Sequence, residues 1–422
     1  MIDVKVLFLC GGIGKRMLPL TEDKFLFKFL GRTLLEHQLD LVLKTGLKKV
    51  VLVCNSHNEE KIKQIAGSFP GISFEYTRQE KPLGIGNALI DSTAHILNHE
   101  LIIVNPNDIF ESNAYTALLK AHEKHPADSY IIGYKVKEYF PGGYLVTNEC
   151  GELTHIVEKP GQGNEPSNMV NLLIHYHTDT KTLLDYISRV KTDRDDKYEQ
   201  GMDAMCKNGK RIYVTPYTGQ WKAIKYPWHI LDGVRYFLDR AEGYIAPTAQ
   251  ISDRAVIDGK VIIGDNARIL ENAVIRGPVY IGPGNVIGNS TLIRGYSHLG
   301  ENCVVGFGTE IKGSYIDKGS WFHMNYIGDS VIGQNCNFGA GTITANWRFD
   351  KKNVTVRVDN IAMDTGTDKF GAIVGDKCRI GINVSIMPGV KIGANSTISP
   401  AVLLTKNVEP SSIISTRKQS PL

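Results

Sequence analysis

The chain has 422 residues, enough for two or three domains that each bury a core. Its net charge of +4 is spread over interspersed signs, which excludes the basic footprint of a nucleic-acid binder. No apolar run approaches bilayer-spanning length, the seven cysteines contain no CxxC pair, and the apolar start is too short for a secretory signal, so the sequence predicts a cytoplasmic protein with buried, reduced thiols and no membrane partner.

Residues 4–10 read as a buried strand that runs into Gly11-Gly12-Ile13-Gly14-Lys15-Arg16. Backbone N–H groups of a Gly-rich turn can approach phosphates closely, and two cations offset their charge. A tight turn would also explain the glycines, since the run is neither the Walker nor the dinucleotide fingerprint. Helical spacing follows at 33–44 (Leu34, Leu35, Leu39, Val42, Leu43), a strand at 49–54, a helix at 59–66 and an extended segment at 73–77. A helix at 87–97 and a strand at 101–104 complete an alternation that predicts a doubly wound α/β sheet. Ligands of such folds sit at the carboxyl ends of strands, where Gly11–Arg16 and Asn105-Pro106-Asn107-Asp108 both lie. A carboxylate there can hold Mg²⁺ against phosphates, or simply cap a helix. Residues 230–240 form one predicted helix, closed by Gly243 and leading to Ala246-Pro247.

From residue 251 the chain advances in steps of six: Ile251, Ile257, Ile263, Ile269, Ile275, Ile281, Ile287, Ile293, Leu299, Val305 and Ile311 are all aliphatic. Small or β-branched residues precede many of them by two (Ala267, Ala273, Thr291, Ser297, Cys303, Thr309), and Gly264, Gly282, Gly288, Gly300 and Gly306 follow others. The pattern resumes with Val374, Ile380, Ile386, Ile392, Ile398 and Leu404. Six-residue units of this kind predict a parallel β-helix, the aliphatic residue inward, with Gly or Asn supplying the unusual corner backbone. Residues 320–329 break the rhythm, and a polar loop at 348–368 carries no hexads. Breaks and long loops on a regular scaffold are where function is expected.

The run CGGIGKRMLPLTEDKFLFKFLGRTLLEHQL resembles the signature of sugar-1-phosphate nucleotidylyltransferases, with Gln79, Pro82-Leu83-Gly84, Asp108, Glu158-Lys159-Pro160, Asn171 and Trp221 following in family order. The resemblance implies that Gly11, Gly12, Gly14 and Arg16 cradle the nucleotide phosphates, Gln79 and Gly84 read the base, and Lys24 stabilises the phosphate under attack. It further implies that Asp108 holds Mg²⁺ and that Glu158, Lys159 and Asn171 contact the sugar or its phosphate. The reaction implied transfers a nucleotidyl group from UTP or dTTP to glucose-1-phosphate or N-acetylglucosamine-1-phosphate and releases pyrophosphate. The chain departs from the family pattern at Lys15, Asp23 and Asn107, and Ala223 stands where a second metal carboxylate is expected. Either another group, such as Lys225, substitutes there, or nucleotidyl transfer is impaired.

HMNYIGD and NFGAGTITAN resemble the acetyltransferase half of bifunctional N-acetylglucosamine-1-phosphate uridylyltransferases, and NWRFDKK with KFGAIVGDKCRIGINVSIMPGVKIG is most similar to their archaeal type. This implies a left-handed parallel β-helix in which His323 is the general base, a task that suits a neutral imidazole near pH 7. It implies that Arg294 and Lys312 hold the phosphate and sugar, that Glu310, Tyr326, Asn337 and Asn346 contact the acceptor, and that Lys369 meets acetyl-CoA. The site is expected between subunits of a homotrimer. Trp347 departs from the usual Tyr. The expected organisation is a nucleotidyltransferase domain at 1–235, a linker at 236–247, a β-helix at 248–408 and a tail at 409–422. Two alternatives remain: an acetyltransferase with a degenerate nucleotide domain, or a nucleotidyltransferase with a regulatory β-helix.

Overall fold

The computed structural model describes residues 4–12, 14–359 and 361–415. They form two compact units, residues up to 12 with Leu34–Trp221, and Gly14–Thr33 with the chain from Lys222 onward. These units do not follow the expected boundaries, because the segment 14–33 belongs with the β-helix.

In the first unit β1 (Val4–Leu9), β2 (Lys49–Cys54), β3 (Ser73–Arg78), β4 (Glu100–Val104), β5 (Ser129–Lys135), β6 (Gly143–Thr147), β7 (Leu153–Glu158), β8 (Met169–His177) and β9 (Ile212–Tyr217) share one sheet. Its order is β7-β6-β8-β4-β1-β2-β3, with β5 paired to β8 and β9 paired to β5. The strands β3, β2, β1 and β4 are parallel neighbours, whereas β8 runs antiparallel to β4 and β5. The runs VKVLFL and KVVLVC are apolar and largely buried, as central parallel strands covered on both faces must be. Leu7, Val51, Val53, Leu101 and Ile103 pack with Leu183, Ile187, Met202 and Met205 from the helices Thr180–Arg189 and Lys197–Lys207. The strand order reverses between β1 and β4, which opens a crevice beyond their carboxyl ends. The helix expected at 87–97 is two, Ile85–Asp91 and Thr93–Ile96, parted at Ser92, whose hydroxyl donates to the Ala88 carbonyl at 2.8 Å. A serine bonding back to the preceding turn weakens a helix at that point.

The second unit is a left-handed parallel β-helix whose three faces carry eight, nine and eight strands among the described residues. Ile251 pairs with Ile269, eighteen residues on, so three hexads close one coil. The ladder continues through Ile287, Val305, Phe322, Phe338, Ile380 and Ile398. A second ladder runs from Ile257 through Ile275, Ile293, Ile311, Ile327, Thr344 and Ile386 to Leu404. Most of these residues, with Ala267, Ala273 and Cys303, form one buried core, and Ile251 and Ile257 pack against its end.

The expected break in the rhythm is not a break in the coil. Ile316, Phe322, Ile327 and Ile332 all stay in their ladders, but the sides 311–316, 322–327 and 327–332 are five residues long instead of six. The chain leaves the coil only at 345–372, where Thr355–Val358 and Ile361–Asp364 form an antiparallel hairpin. The coil also passes the expected end at 408, since Ile413–Ile414 pairs with Thr397–Ile398. The rest of the predicted tail, 416–422, lies outside the described residues.

Two kinds of residue make the corners. Asn266, Asn272, Asn302, Asn335, Asn383 and Asn395 have φ between 55° and 61°, the left-handed region that Asn and Gly tolerate best. Gly264, Gly282, Gly288, Gly300 and Gly306, expected to serve the same purpose, are needed for a different reason, as is Gly381. A Cβ at Gly381 would stand 2.6 Å from the backbone nitrogen of Pro400 in the next coil. These glycines set how closely coils stack.

The segment 14–33 packs on a column of rings, Tyr280, His298 and Tyr315, stacked at 4.7 and 4.9 Å. Burial, the main cause, holds the His298 pKa down to about 3, so the neutral ring accepts the Leu30 N–H at 3.2 Å. Lys28 pairs with Glu301 at 2.5 Å, and Phe29 stacks on Phe237 of the helix His229–Arg240 at 5.1 Å. Of the cysteines, Cys10, Cys54, Cys303, Cys336 and Cys378 are buried as expected, while Cys150 is exposed and Cys206 half-buried. No helix among the described residues is long and apolar enough to cross a membrane.

The corner analysis predicts unequal costs for the same substitution. Gly381→Ala should destabilise by about 2–3 kcal/mol through forced coil separation. Gly308→Ala, at φ 64° with nothing within 4 Å of the added carbon, should cost only about 1 kcal/mol. Thermal unfolding of the two variants checks the difference.

Candidate active sites

In the first unit Gly11 follows β1, and a Cβ there would lie 2.6 Å from Gln79 Oε1. Only glycine lets the two chains approach so closely. Gln79 is 5% exposed, and its Nε2 donates to the Gly84 carbonyl at 3.3 Å. Gly84 has φ 87° and lies against the Asp195 carboxylate. Thus Gly11, Gln79 and Gly84 come together, with the glutamine amide already engaged. Asn55 and Asn58, not singled out from sequence, brace the same turn. Asn55 Nδ2 donates to the Gly11 carbonyl at 3.4 Å and Asn58 Nδ2 to that of Cys10 at 2.9 Å. Each also accepts the other's backbone N–H, at 2.9 and 3.1 Å.

Glu158, Lys159 and Asn171 also converge. Gly143 on β6 lies between them, its Cβ position 3.0 Å from Glu158 Oε2 and 3.7 Å from Asn171 Cβ. Lys159 Nζ is 3.2 Å from Glu158 Oε1. Burial first, then the charges of Glu158, Asp195 and Asp196, push the nearby Glu199 up to about 7, which lowers the charge of this acidic corner near neutrality.

Asp108 opens the short strand Asp108–Phe110 after β4, and its Oδ2 accepts the Trp221 indole N–H at 3.1 Å. Asn107 folds back on Asn105, its Nδ2 2.8 Å from Asn105 Oδ1. Among the described residues no group of three His, Cys, Asp or Glu could hold a metal ion. The single carboxylate of Asp108 is a donor that suits a magnesium ion completed by substrate phosphates and water. It does not fit one caged by protein alone.

In the second unit Gly14 lies along Lys24, with 3.5 Å from its Cβ position to Lys24 Cε, and Lys15 and Arg16 are exposed. The segment that carries Ala223 is tied to His229, whose Nδ1 accepts the Lys225 N–H at 3.1 Å. Burial, helped by Lys225, Lys24 and Lys222, lowers the His229 pKa to about 4. Lys222 and Lys225 flank Ala223, where a second carboxylate was expected, and Asp232 also lies near Lys222.

On the β-helix one face carries most of the second set. Arg294, Lys312 and Gly328 occupy equivalent positions in successive coils, as do Glu310, Tyr326 and Ile343. Arg294 pairs with Glu310 at 2.9 Å. Asp329, only 4% exposed, receives Lys312 Nζ at 2.7 Å and Asn346 Nδ2 at 2.5 Å. It is the hub of the network, although it was read only as part of a motif. Gly328 leaves the space above it to Tyr326 OH and Asn346 Nδ2, each 2.7 Å from its Cβ position. Burial, then the Asp329 and Glu310 charges, raise the Tyr326 pKa, so the phenol stays a neutral donor.

His323 sits on the corner between this face and the next, exposed, its ring over Gly306 of the preceding coil. Buried Asn325 fixes that corner, accepting the His323 N–H at 2.6 Å and donating to the Gly339 and Thr342 carbonyls at 2.8 and 3.1 Å. Asn337 is not on the face of Tyr326. It pairs with Trp321 on the adjacent face. Lys369 is exposed where the excursion returns, bridged to Trp347.

Comparison with known proteins matches residues 5–224 to the Nucleotidyl transferase family and residues 371–406 to the Bacterial transferase hexapeptide (six repeats) family. A "Bifunctional sugar-1-phosphate nucleotidylyltransferase/acetyltransferase" from Sulfurisphaera tokodaii is 35% identical over 96% of this chain and 98% of its own length. A "Bifunctional protein GlmU" from Methanococcus maripaludis is 38% identical over 97% of this chain and 96% of its own. Among solved structures a UDP-glucose pyrophosphorylase complexed with UDP-glucose covers 57% of this chain and all of its own, at 20% identity and a TM-score of 0.50, a likeness of fold. Both halves of the chain are thus matched end to end by single curated proteins, and it belongs to the family of bifunctional sugar-1-phosphate nucleotidylyltransferase/acetyltransferases.

Proposed function

We propose that the chain transfers a nucleotidyl group from UTP or dTTP to a sugar-1-phosphate and an acetyl group from acetyl-CoA to glucosamine-1-phosphate. The nucleotidyl half is assigned to 1–235 and the acetyl half to the β-helix from 248. In the first reaction an oxygen of the sugar-1-phosphate attacks the α-phosphorus of the NTP, and the bond to the β-phosphate breaks to release pyrophosphate. Gly11, Gly12 and Gly14 present backbone N–H groups to the phosphates, and Arg16 and Lys24 offset the charge that builds at the α-phosphate. Gln79 and Gly84 face the base, while Glu158, Lys159 and Asn171 hold the sugar-phosphate. Asp108 would hold Mg²⁺, which supplies further charge neutralisation on the triphosphate.

In the second reaction the amine nitrogen of glucosamine-1-phosphate attacks the thioester carbonyl of acetyl-CoA. A C–N bond forms, the C–S bond breaks, and His323 takes the proton that the amine loses. The observation that carries this half is the network around Asp329, which holds Lys312 and Asn346 in place next to Tyr326 on the face that begins at the His323 corner. Arg294 and Lys312 meet the acceptor's phosphate and sugar, Glu310, Tyr326, Asn337 and Asn346 its polar groups, and Lys369 the coenzyme. Asn337 lies on a different face from Tyr326, which favours a site completed by a neighbouring copy and hence a homotrimer.

A second reading is favoured by Ala223, whose side chain cannot bind a metal, namely that acetyl transfer alone survives. Supplying the purified protein with Mg²⁺ and both substrate sets, and following pyrophosphate and free CoA separately, decides between them. CoA without pyrophosphate would establish the second reading. His323→Ala should lower CoA release at least about 10²-fold and leave pyrophosphate release unchanged. Asp108→Asn should lower Mg²⁺-dependent pyrophosphate release about 10²-fold and leave CoA release unchanged.

A further inference from the structure

The sequence HYH at 175–177 entered no functional assignment, yet it lies in an unbroken buried chain that ends on Asn171. Ser129 Oγ is 2.7 Å from His177 Nδ1, and His177 Nε2 is 2.9 Å from Tyr198 OH. Tyr198 OH is 2.6 Å from His175 Nδ1, and His175 Nε2 is 2.7 Å from Asn171 Oδ1. Ser129, His175, His177 and Tyr198 are each at most 1% exposed. Strand alternation puts His175 and His177 on one side of β8, and the first turn of the helix Lys197–Lys207 sets Tyr198 between their rings.

The protons in this chain can be assigned. Burial keeps both imidazoles neutral, with His177 lowered to about 3 and His175 well below its ordinary value, so each ring carries one N–H. Four contacts then need one hydrogen each, and the chain runs in one of two senses. If it ran from Asn171 inward, the Ser129 hydroxyl would only accept, leaving its own hydrogen buried without an acceptor at a cost of about 1–3 kcal/mol. If it runs outward, every hydrogen is used. Ser129 O–H donates to His177 Nδ1, His177 Nε2–H to Tyr198, Tyr198 O–H to His175 Nδ1, and His175 Nε2–H to Asn171 Oδ1. The Asn171 carbonyl oxygen is thereby held inward and its NH₂ is left for a ligand.

We propose that His175, Tyr198, His177 and Ser129 are positioning residues that lock the Asn171 amide as a hydrogen-bond donor toward the sugar-1-phosphate. The inference rests on the reading of Asn171 as a sugar-phosphate contact. It adds that the atom met by Asn171 must be an acceptor, such as a hydroxyl, carbonyl or phosphate oxygen, and that a protonated amine, which can only donate, is disfavoured there. Tyr198 is the link whose loss disconnects both halves of the chain.

The test uses the full-length enzyme in the pyrophosphate-release assay. Tyr198→Phe should raise KM for the sugar-1-phosphate about tenfold, with KM for the NTP unchanged. Asn171→Asp, which presents an acceptor in place of the donor, should raise the sugar-1-phosphate KM further. A Tyr198→Phe enzyme with an unchanged sugar-1-phosphate KM overturns the proposal. Asn171→Ala separates the two readings. If it leaves that KM unaltered, the assignment of Asn171 fails, whereas if it raises it and Tyr198→Phe does not, only the chain fails. Should Tyr198→Phe not fold, ¹⁵N NMR of the histidine-labelled wild type decides: both rings must be neutral Nε2–H tautomers, and an Nδ1–H ring at either position overturns the proposal.

Discussion

Parallel pairing at a fixed interval governs most of this molecule. When Ile251 pairs with Ile269, and Ile269 with Ile287, the coil has no freedom in where its side chains point. Positions in the aliphatic columns face a dry interior, their neighbours face out, and one residue at most of the corners adopts the left-handed region. A solenoid stabilised by nearest-neighbour coils gains nothing from the chemistry of its outward residues. Those positions can therefore hold Arg294, Glu310, Lys312 and Tyr326 at a constant rise, one above another, without loss to the fold.

The first unit solves the same problem differently. Of the residues proposed for its site, Gly11, Gln79 and Asp108 follow parallel strands and are steadied by side-chain contacts, whereas Glu158 and Asn171 belong to antiparallel strands. Asn55 and Asn58 clamp the Gly11 turn, Trp221 holds Asp108, and the Gln79 amide is bound to Gly84. Such restraint suits chemistry that works by holding charged groups in register with phosphates, because any reorganisation during the reaction would be lost from the barrier reduction.

This difference explains what was legible in the sequence. The hexads announced the β-helix because its geometry is periodic, and the alternation of strands and helices announced the parallel half of the sheet. The side-chain braces left no such trace: Asn58 and Cys10 are 48 residues apart, and nothing in local spacing joins Ser129 to His177. The antiparallel strand β8 was missed for the same reason. The break in rhythm at 320–329 is real but does not interrupt the coil, because the ladder tolerates a side of five when a corner loses one residue. Thr344 in an otherwise aliphatic column hid the next coil, and the glycines after the aliphatic residues proved to answer to crowding by the adjacent coil.

The segment 14–33 gives the chain a history that its domain names conceal. In sequence it sits inside the nucleotidyltransferase half, but its Lys28, Leu30 and Phe27 are seated on Glu301, His298 and Tyr315 of the prism. Recombination at the apparent junction near residue 235 would sever that fit, leaving the loop of Lys15, Arg16 and Lys24 to rest on a foreign surface. A chimera that exchanges the β-helix must therefore carry the segment 14–33 with it.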